Sequence, residues 1–464
     1  MKLFNSLTHK VEEFRPLQAG QVGLYTCGPT VYDYAHIGNF RTYVFEDLLK
    51  RVLLSRGYRV KHVMNVTDVD DKTINRALKE GVSLNELTNR YTEAFLADAR
   101  LLSVLPADVY PRATEHIPEM VALIESLLAR GHAYRKDGSI YFRIDSFPDY
   151  GRLSRVSAAD LQTSERLDSD EYEKEEVRDF ALWKARKGEE VFWLTPLGEG
   201  RPGWHIECSA MSMKYLGPHF DLHVGGVDNM FPHHENEIAQ SRAATGEAFV
   251  NYWLHCQHLV VEGRKMAKSS GNFYTLRDLV DAGHEPMALR YLLISAHYRK
   301  VLNFTFAGLE MARQSLNRIR EFLAGIPQDC EPGENTPEIT ALVEEADRKF
   351  SDFLADDLNI SGALAAAFDL IRGVNLFPGK LSGADVDTIK SFWCRFHEVT
   401  GVLPEVAGET EDIASHLLEK ISRRQQARAA GDFKTADDLR AELLAEGIVI
   451  QDTPQGVRWK KIRQ

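Results

Sequence analysis

Five cysteines in 464 residues, Cys27, Cys208, Cys256, Cys330 and Cys394, are too few, too scattered and odd in number for a disulfide framework. No paired cysteines stand at finger spacing, so a structural zinc ribbon is not signalled either. No stretch approaches the ~20 consecutive apolar residues of a membrane helix, and Met1 to Asn5 lacks the charged-then-apolar layout of a signal peptide. A cytosolic chain with no membrane partner is expected. Positive charge is also short: 56 Lys and Arg against 68 Asp and Glu give a net charge of -12, which argues against indiscriminate wrapping of nucleic acid.

What is present is an ordinary globular composition, 44% hydrophobic and 27% charged. The length exceeds the roughly 250–300 residues at which one core stops growing, so two or more domains are expected. Charge is unevenly placed. From Lys420 to Gln464 there are ten Lys and Arg against six Asp and Glu, a basic tail on an acidic body. The acidic run from Ser164 to Asp179 reads as a solvated face or loop.

Val22 to Cys27 reads as a short buried strand, followed by a Gly- and Pro-containing loop and a helix from about Gly38. Val44, Phe45, Leu48, Leu49, Val52 and Leu53 give that helix one apolar face, Gly57 ends it, and Val60 to Val66 resumes as a strand. Such strand-helix-strand units favour a parallel sheet that binds ligands beyond the carboxyl ends of its strands, where Cys27 lies. A subdomain, helical in pattern with a turn-rich stretch, is inserted from about Ala99 to Pro202. Phe220 to Gly226 is a further strand, Pro232 can open a helix, and helical spacing dominates after Leu302.

Three groups of residues point to chemistry. His36-Ile37-Gly38-Asn39 stands between a strand and a helix, where an imidazole and helix-start amides can bind phosphate; a capping histidine is the commoner occupant of such a position. Lys265-Met266-Ala267-Lys268-Ser269 is a basic loop whose lysines can clamp a pyrophosphate or lie solvated. His233 and Glu237, four apart on a helix, share a face and can ligate one ion, with His234 rotated off it.

Together the two signatures resemble those of class I aminoacyl-tRNA synthetases. Tyr25 to Asp33, Asn65 to Lys72, Gly203 to Met211 and Phe231 to Gln240 resemble strings of the cysteinyl-tRNA synthetases within that class, and the likeness spans essentially the whole chain. It implies an α/β fold: a doubly wound, Rossmann-like parallel-sheet catalytic domain with an inserted subdomain, then a helical bundle and a small C-terminal module. The corresponding boundaries are 1–98 and 203–255 for the catalytic halves, 99–202 for the insertion, 256–305 for a linker carrying the lysine loop, 306–400 for the bundle and 401–464 for an anticodon-end module.

The implied reaction is ATP-dependent activation of L-cysteine and its transfer to tRNA(Cys). By resemblance, His36, Asn39, Lys265 and Lys268 are catalytic. Gly28, Thr67 and Trp204 bind the amino acid, although Trp204 also reads as core filler. His36, Gly225, Gly226, Asp228 and Lys268 bind the nucleotide, and Cys27, Cys208, His233 and Glu237 hold one Zn²⁺. ATP enters as substrate with Mg²⁺, and a monomer is expected. Cys256, Cys330 and Cys394 match no site and are expected as buried free thiols. Arg423, Arg424, Arg428, Lys434 and Trp459 suit tRNA contact or a solvated helix with a small core. Asn39, Ala267 and Val224 depart from the class pattern, Val224 standing where the glycine turn has its first glycine. Two other readings stay open: a ligase joining cysteine to an amino-sugar, and a nucleic-acid-binding relative without catalysis.

Overall fold

The computed structural model describes residues 1–156, 179–267, 271–327, 330–403, 420, 423–424, 427–428, 432–445, 448–453 and 456–461, with 433–434 and 445–461 by backbone alone. Lys268 and the acidic run up to residue 178 lie outside them, as do the side chains of Lys434 and Trp459. The chain divides into two units, Met1–Leu403 and Pro404–Gln464.

In the first unit an antiparallel hairpin of β1 (Lys2–Asn5) and β2 (Lys10–Glu13) precedes the central sheet. The chain enters that sheet in β3 (Gln21–Thr26), crosses over in α1 (Ile37–Ser55) and returns in β4 (Arg59–Met64). Helices α2 (Asp71–Glu80), α3 (Leu84–Leu101) and α4 (Ile117–Ala129) lead into β5 (Ala133–Lys136), β6 (Ser139–Phe142), β7 (Phe180–Ala185), β8 (Trp193–Thr195) and β9 (Gly198–Pro202). These five strands form a sheet in the order β5-β6-β7-β9-β8, antiparallel throughout. The expected insertion is therefore largely a β structure, with α4 its helical part; cross-strand pairing of aromatics such as Tyr134, Tyr141 and Phe180 carries it, and periodicity in single short strands is weak.

The chain rejoins the central sheet through α5 (Trp204–Leu216), β10 (Phe220–Gly226), α6 (Glu235–Thr245) and β11 (Val250–Cys256). The strand order β11-β10-β3-β4 is all parallel, and the chain starts in its middle and winds outward on both sides. A crevice opens where the winding reverses, beyond the carboxyl ends of β3 and β10. There Cys27 N–H donates to the Val224 carbonyl at 3.1 Å. A small sheet of β12 (Leu259–Val261), β13 (Arg264–Lys265) and β14 (Leu302–Phe304) follows, with α7 (Leu276–Asp281) and α8 (Pro286–Ser295) between its strands. Four helices complete the unit: α9 (Phe306–Gly325), α10 (Pro337–Ala355), α11 (Ile360–Leu376) and α12 (Gly383–Thr400).

Helix α1 carries more than the single apolar face read from its sequence. Beside Val44, Phe45, Leu48, Leu49, Val52 and Leu53, the structure also buries Glu46, Asp47, Lys50 and Arg51. Arg51 Nε donates to Asp47 at 2.8 Å, and Arg290 from α8 donates to the same carboxylate at 2.5 Å. Sheet and helices enclose α1, so Asp47 and Arg51 are paired internally, while burial pushes the Glu46 carboxyl well up, toward its neutral form.

In the second unit α13 (Phe433–Ala445) precedes an antiparallel hairpin of β15 (Ile448–Thr453) and β16 (Gly456–Lys461). Arg423 and Arg428 are exposed, but Arg424 is buried, which removes it from the residues expected to meet phosphate. No described helix is long and apolar enough to cross a membrane.

Candidate active site

A cavity of about 640 Å³ occupies the crevice, and its wall draws on both halves of the split sheet. One end is a buried donor cluster. Cys27 follows β3, Cys208 lies on α5, His233 lies just before α6 and Glu237 in its first turn; one ligand atom from each falls within 4.8 Å of the others. His233 Nε2 sits 3.2 Å from Glu237 Oε1, as their spacing of four predicts.

A second set, Cys27, His223, His234 and Glu237, is equally close-packed. His234 was expected to turn away, yet its Nε2 is 3.2 Å from Cys27 Sγ, because residues 230–234 depart from regular α-helix and re-aim the ring. The cavity separates the two sets: Cys27, Cys208 and His233 line it, whereas His223 and His234 are fully buried behind. Only the first set can hold an ion that a ligand in the cavity would reach.

The donors fit a divalent cation. Glu237 Oε1 is buried with no well-formed hydrogen bond, His233 Nε2 at 3.2 Å being its near neighbour, an expensive state for a carboxylate unless a cation meets it. Burial pushes Glu237 up to about 8, pushes His233 down to about 3 and raises the Cys27 thiol, so burial favours the neutral form of these three. A bound dication drives each group to its ligating form, and two sulfurs with one nitrogen and one oxygen suit zinc. Behind the cluster, His205 Nδ1 lies 2.8 Å from His233 Nδ1, Glu237 Oε2 is held by His223 Nε2 at 2.9 Å, and His234 Nδ1 meets His255 Nε2 at 2.8 Å, whose Nδ1 in turn meets Ser6 Oγ. Sequence reading missed this histidine chain, although His205 stands inside one of the recognisable strings and His223 on the strand Phe220 to Gly226.

Beside the cluster, Trp204 is half-buried at the start of α5 and stacks on the His233 ring at 4.2 Å, so it is a wall of the cavity rather than core filler. Thr67 and Gly28 line the same end. Asn65, to which no role had been given, ties them together. Its Oδ1 accepts from Gly28 N–H at 3.0 Å and its Nδ2 donates to Thr67 Oγ1 at 3.1 Å.

His36 caps α1. Its Nδ1 accepts from the Asn39 backbone N–H at 3.1 Å, and the Asn39 side chain accepts from His36 N–H at 3.1 Å, a reciprocal capping box. An Nδ1 that accepts must leave the proton of the neutral ring on Nε2. Asparagine at position 39 thus closes the cap of the helix whose start faces the cavity. The capping and phosphate-binding readings of His36 are compatible, since different ring nitrogens serve them.

The lysine loop packs against this element. A Cβ on Gly38 would come within 2.9 Å of Met266 Cε, and the His36 ring meets Phe273 edge-on at 5.2 Å. Asn272 braces the loop: its Oδ1 accepts from Ala267 N–H at 2.9 Å and its Nδ2 donates to the Lys265 carbonyl at 3.1 Å. Lys265 lines the cavity. Gly226 and Asp228 line its far end, with Asp228 Oδ2 3.1 Å from His258 Nδ1. Gly225 does not; a Cβ there would come within 2.9 Å of His234 Cε1, so that glycine serves packing against the buried ring. Val224, the departure at the glycine turn, points into the core. Of the three cysteines outside the cluster only Cys256 is buried, with its thiol pushed up to about 11; Cys330 is half-buried and Cys394 exposed, because their helical-region surroundings leave them near the surface.

Comparison with known proteins places the chain in a family. Residues 13–314 match the family model of the class I tRNA synthetase catalytic domain of the C type, residues 349–406 the DALR domain, and residues 416–459 the cysteinyl-tRNA ligase anticodon binding domain. The cysteine–tRNA ligase of Brachyspira hyodysenteriae is 49% identical over 99% of this chain and 98% of its own length, and that of Protochlamydia amoebophila is 48% identical over the same shares. Among solved structures, Mycobacterium tuberculosis methionyl-tRNA synthetase bound by methionyl-adenylate superposes with a TM-score of 0.61 at 14% identity, covering 90% of this chain and 96% of that one, a likeness of fold alone. The chain belongs to the cysteine–tRNA ligase family, built on the class I tRNA synthetase catalytic fold.

Proposed function

We propose that this enzyme activates L-cysteine with ATP to cysteinyl-adenylate and transfers the cysteinyl group to the terminal adenosine of tRNA(Cys). The observation that carries the reading is a buried Cys27, Cys208, His233 and Glu237 cluster facing the same cavity as the His36 and Lys265 elements. A Zn²⁺ bound by these four residues would offer the substrate a position that favours sulfur over hydroxyl oxygen, and so would separate cysteine from serine.

The chain's own residues then position and stabilise charge. Gly28, Thr67 and Trp204 seat the amino acid with its carboxylate toward the nucleotide. ATP, with its Mg²⁺, takes the arm lined by Gly226 and Asp228. The cysteine carboxylate oxygen forms a bond to the α-phosphorus as the bond to the pyrophosphate oxygen breaks, so no covalent enzyme intermediate is needed. His36, through its Nε2 proton, and Lys265 and Lys268 balance charge on the phosphates, while Asn39 holds the imidazole by the cap. In the second step a hydroxyl of the terminal ribose attacks the carbonyl and AMP leaves.

The DALR and anticodon-binding matches at 349–406 and 416–459 favour tRNA over an amino-sugar as acceptor. The domain boundaries given above, a monomer and a cytosolic location complete the proposal. The test is transfer of labelled cysteine to purified tRNA by zinc-loaded enzyme, with serine as control. Cysteine-specific charging is expected; pyrophosphate release without charging would overturn the reading.

A further inference from the structure

Two arms of the cavity are accounted for, the donor cluster with its amino-acid pocket and the nucleotide arm at Gly226 and Asp228. A third arm is not. It is walled by the loop 29–35 and by α2 and α3, and it carries Tyr32, Tyr34, Tyr91 and Lys72. Its chemistry differs from that of the other two, alternating aromatic faces with cations. The Tyr34 and Tyr91 rings meet edge-to-face at 5.2 Å, and the Arg277 guanidinium lies over the Tyr34 ring at 4.7 Å. Lys72 Nζ stands 5.7 Å from the centroid of Tyr32. Arg277 is anchored from behind by Asp98 at 3.1 Å and by α3.

Tyr34 is 39% exposed, whereas Tyr91 beneath it is buried. The upper ring thus keeps part of its surface open to the cavity beside Arg277, while the lower ring fixes its tilt. An amino-acid side chain has no use for such a surface beside a thiol pocket, and the nucleotide is assigned above to Gly226 and Asp228. An unpaired nucleotide suits it: the base stacks on an aromatic face, and its phosphate meets Lys72.

We propose that Tyr32, Tyr34 and Lys72, with Tyr91 and Arg277 as their supports, form the binding site for the unpaired 3′-terminal nucleotide of the tRNA. The proposal rests on the function given above and deepens it by naming where the acceptor end is held. The loop carrying both tyrosines runs directly from Gly28 of the amino-acid pocket to His36 of the phosphate site, so a base held there brings its ribose to the junction of the two. Asp33, between the tyrosines, lines the same arm and can accept from a ribose hydroxyl.

The test compares Tyr34→Ala and Lys72→Ala with wild type in three assays: cysteine-dependent ATP–pyrophosphate exchange, single-turnover transfer from preformed adenylate, and Kd for tRNA with and without its terminal nucleotide. Transfer should fall about 10-fold or more beyond any change in exchange. Kd for intact tRNA should rise about as much, and removing the terminal nucleotide should erase the difference between variant and wild type. Tyr34→Phe, which keeps the face, should restore transfer. Equal losses in exchange and transfer, no loss in either, or a Kd difference that survives removal of the terminal nucleotide would each overturn the proposal. Failure of the underlying function looks different, because wild-type enzyme would then exchange pyrophosphate and charge no tRNA.

Discussion

Gly28 and Asn65 are locked together twice: the Gly28 N–H donates to Asn65 Oδ1 at 3.0 Å, and a Cβ built on Gly28 would fall on the Asn65 backbone carbonyl oxygen. One strand end is thereby pressed onto its neighbour with no room for any side chain. Because Asn65 also holds Thr67 Oγ1, the contact sets the spacing of two residues of the proposed amino-acid pocket at once. Gly28→Ala must push these strand ends apart. A misplacement near 1 Å in a positioned site costs about 100-fold in rate. We expect a loss of that order in kcat/KM for cysteine activation, measured by pyrophosphate exchange, with the far-UV circular dichroism unchanged. Retention of wild-type activity would show that the pocket tolerates the displacement.

His205 bears on the metal cluster without belonging to it. If His233 binds a cation through Nε2, its Nδ1–H must donate, and His205 Nδ1 at 2.8 Å is the acceptor. Removing such a partner weakens metal affinity by about 10–100-fold. His205→Ala should therefore surrender zinc to a chelator at correspondingly lower concentration and lose cysteine-over-serine discrimination as it does so. Added zinc should restore both. An unchanged chelator titration would assign His205 to packing alone.

The brace formed by Asn272 predicts a separation of kinetic constants. Asn272→Ala removes both hydrogen bonds that hold Lys265 and Ala267 in one turn, yet leaves the amino-acid pocket untouched. The rate of adenylate formation should fall about 10–100-fold with KM for cysteine nearly constant, the pattern of an interaction used in the transition state. Lys268→Ala should show the same pattern more deeply. A raised KM for cysteine with unchanged turnover would contradict both assignments.

The central strand-helix-strand unit was legible because its apolar residues recur at helical spacing and its glycines sit at the ends of elements. The candidate metal set was legible only in part. His233 and Glu237 are neighbours on one helix, whereas Cys27 and Cys208 are 181 positions apart and reach the cluster by strand order, which local pattern does not encode. The family strings supplied them. The antiparallel sheet between α4 and α5 escaped notice because its strands are three to six residues long and gain their stability from cross-strand pairs. Burial of the polar side of α1 was equally hidden: Asp47 is paired by Arg290, 243 positions away.

That buried pair yields a pH prediction. Burial opposes ionisation of Asp47, but the guanidinium groups of Arg290 and Arg51 and the Leu105 N–H more than offset it and hold the carboxyl below its ordinary range. Arg290 also donates to the carbonyls of Leu102 and Thr400, so the pair joins α1 to the start of the insertion and to the end of α12. A carboxyl whose folded pKa is depressed adds stability that is complete above its unfolded value, near 4, and is lost as pH falls through the folded value. Asp47→Asn leaves Arg290 buried with its charge unmatched, which costs about 3–5 kcal/mol at neutral pH. Urea unfolding of wild type and variant should show that gap at pH 7 and a shrinking gap as the pH is lowered below 4, because wild type then loses the same charge. A gap independent of pH would mean that the neutral asparagine fails sterically, and that the ion pair contributes nothing to the joint.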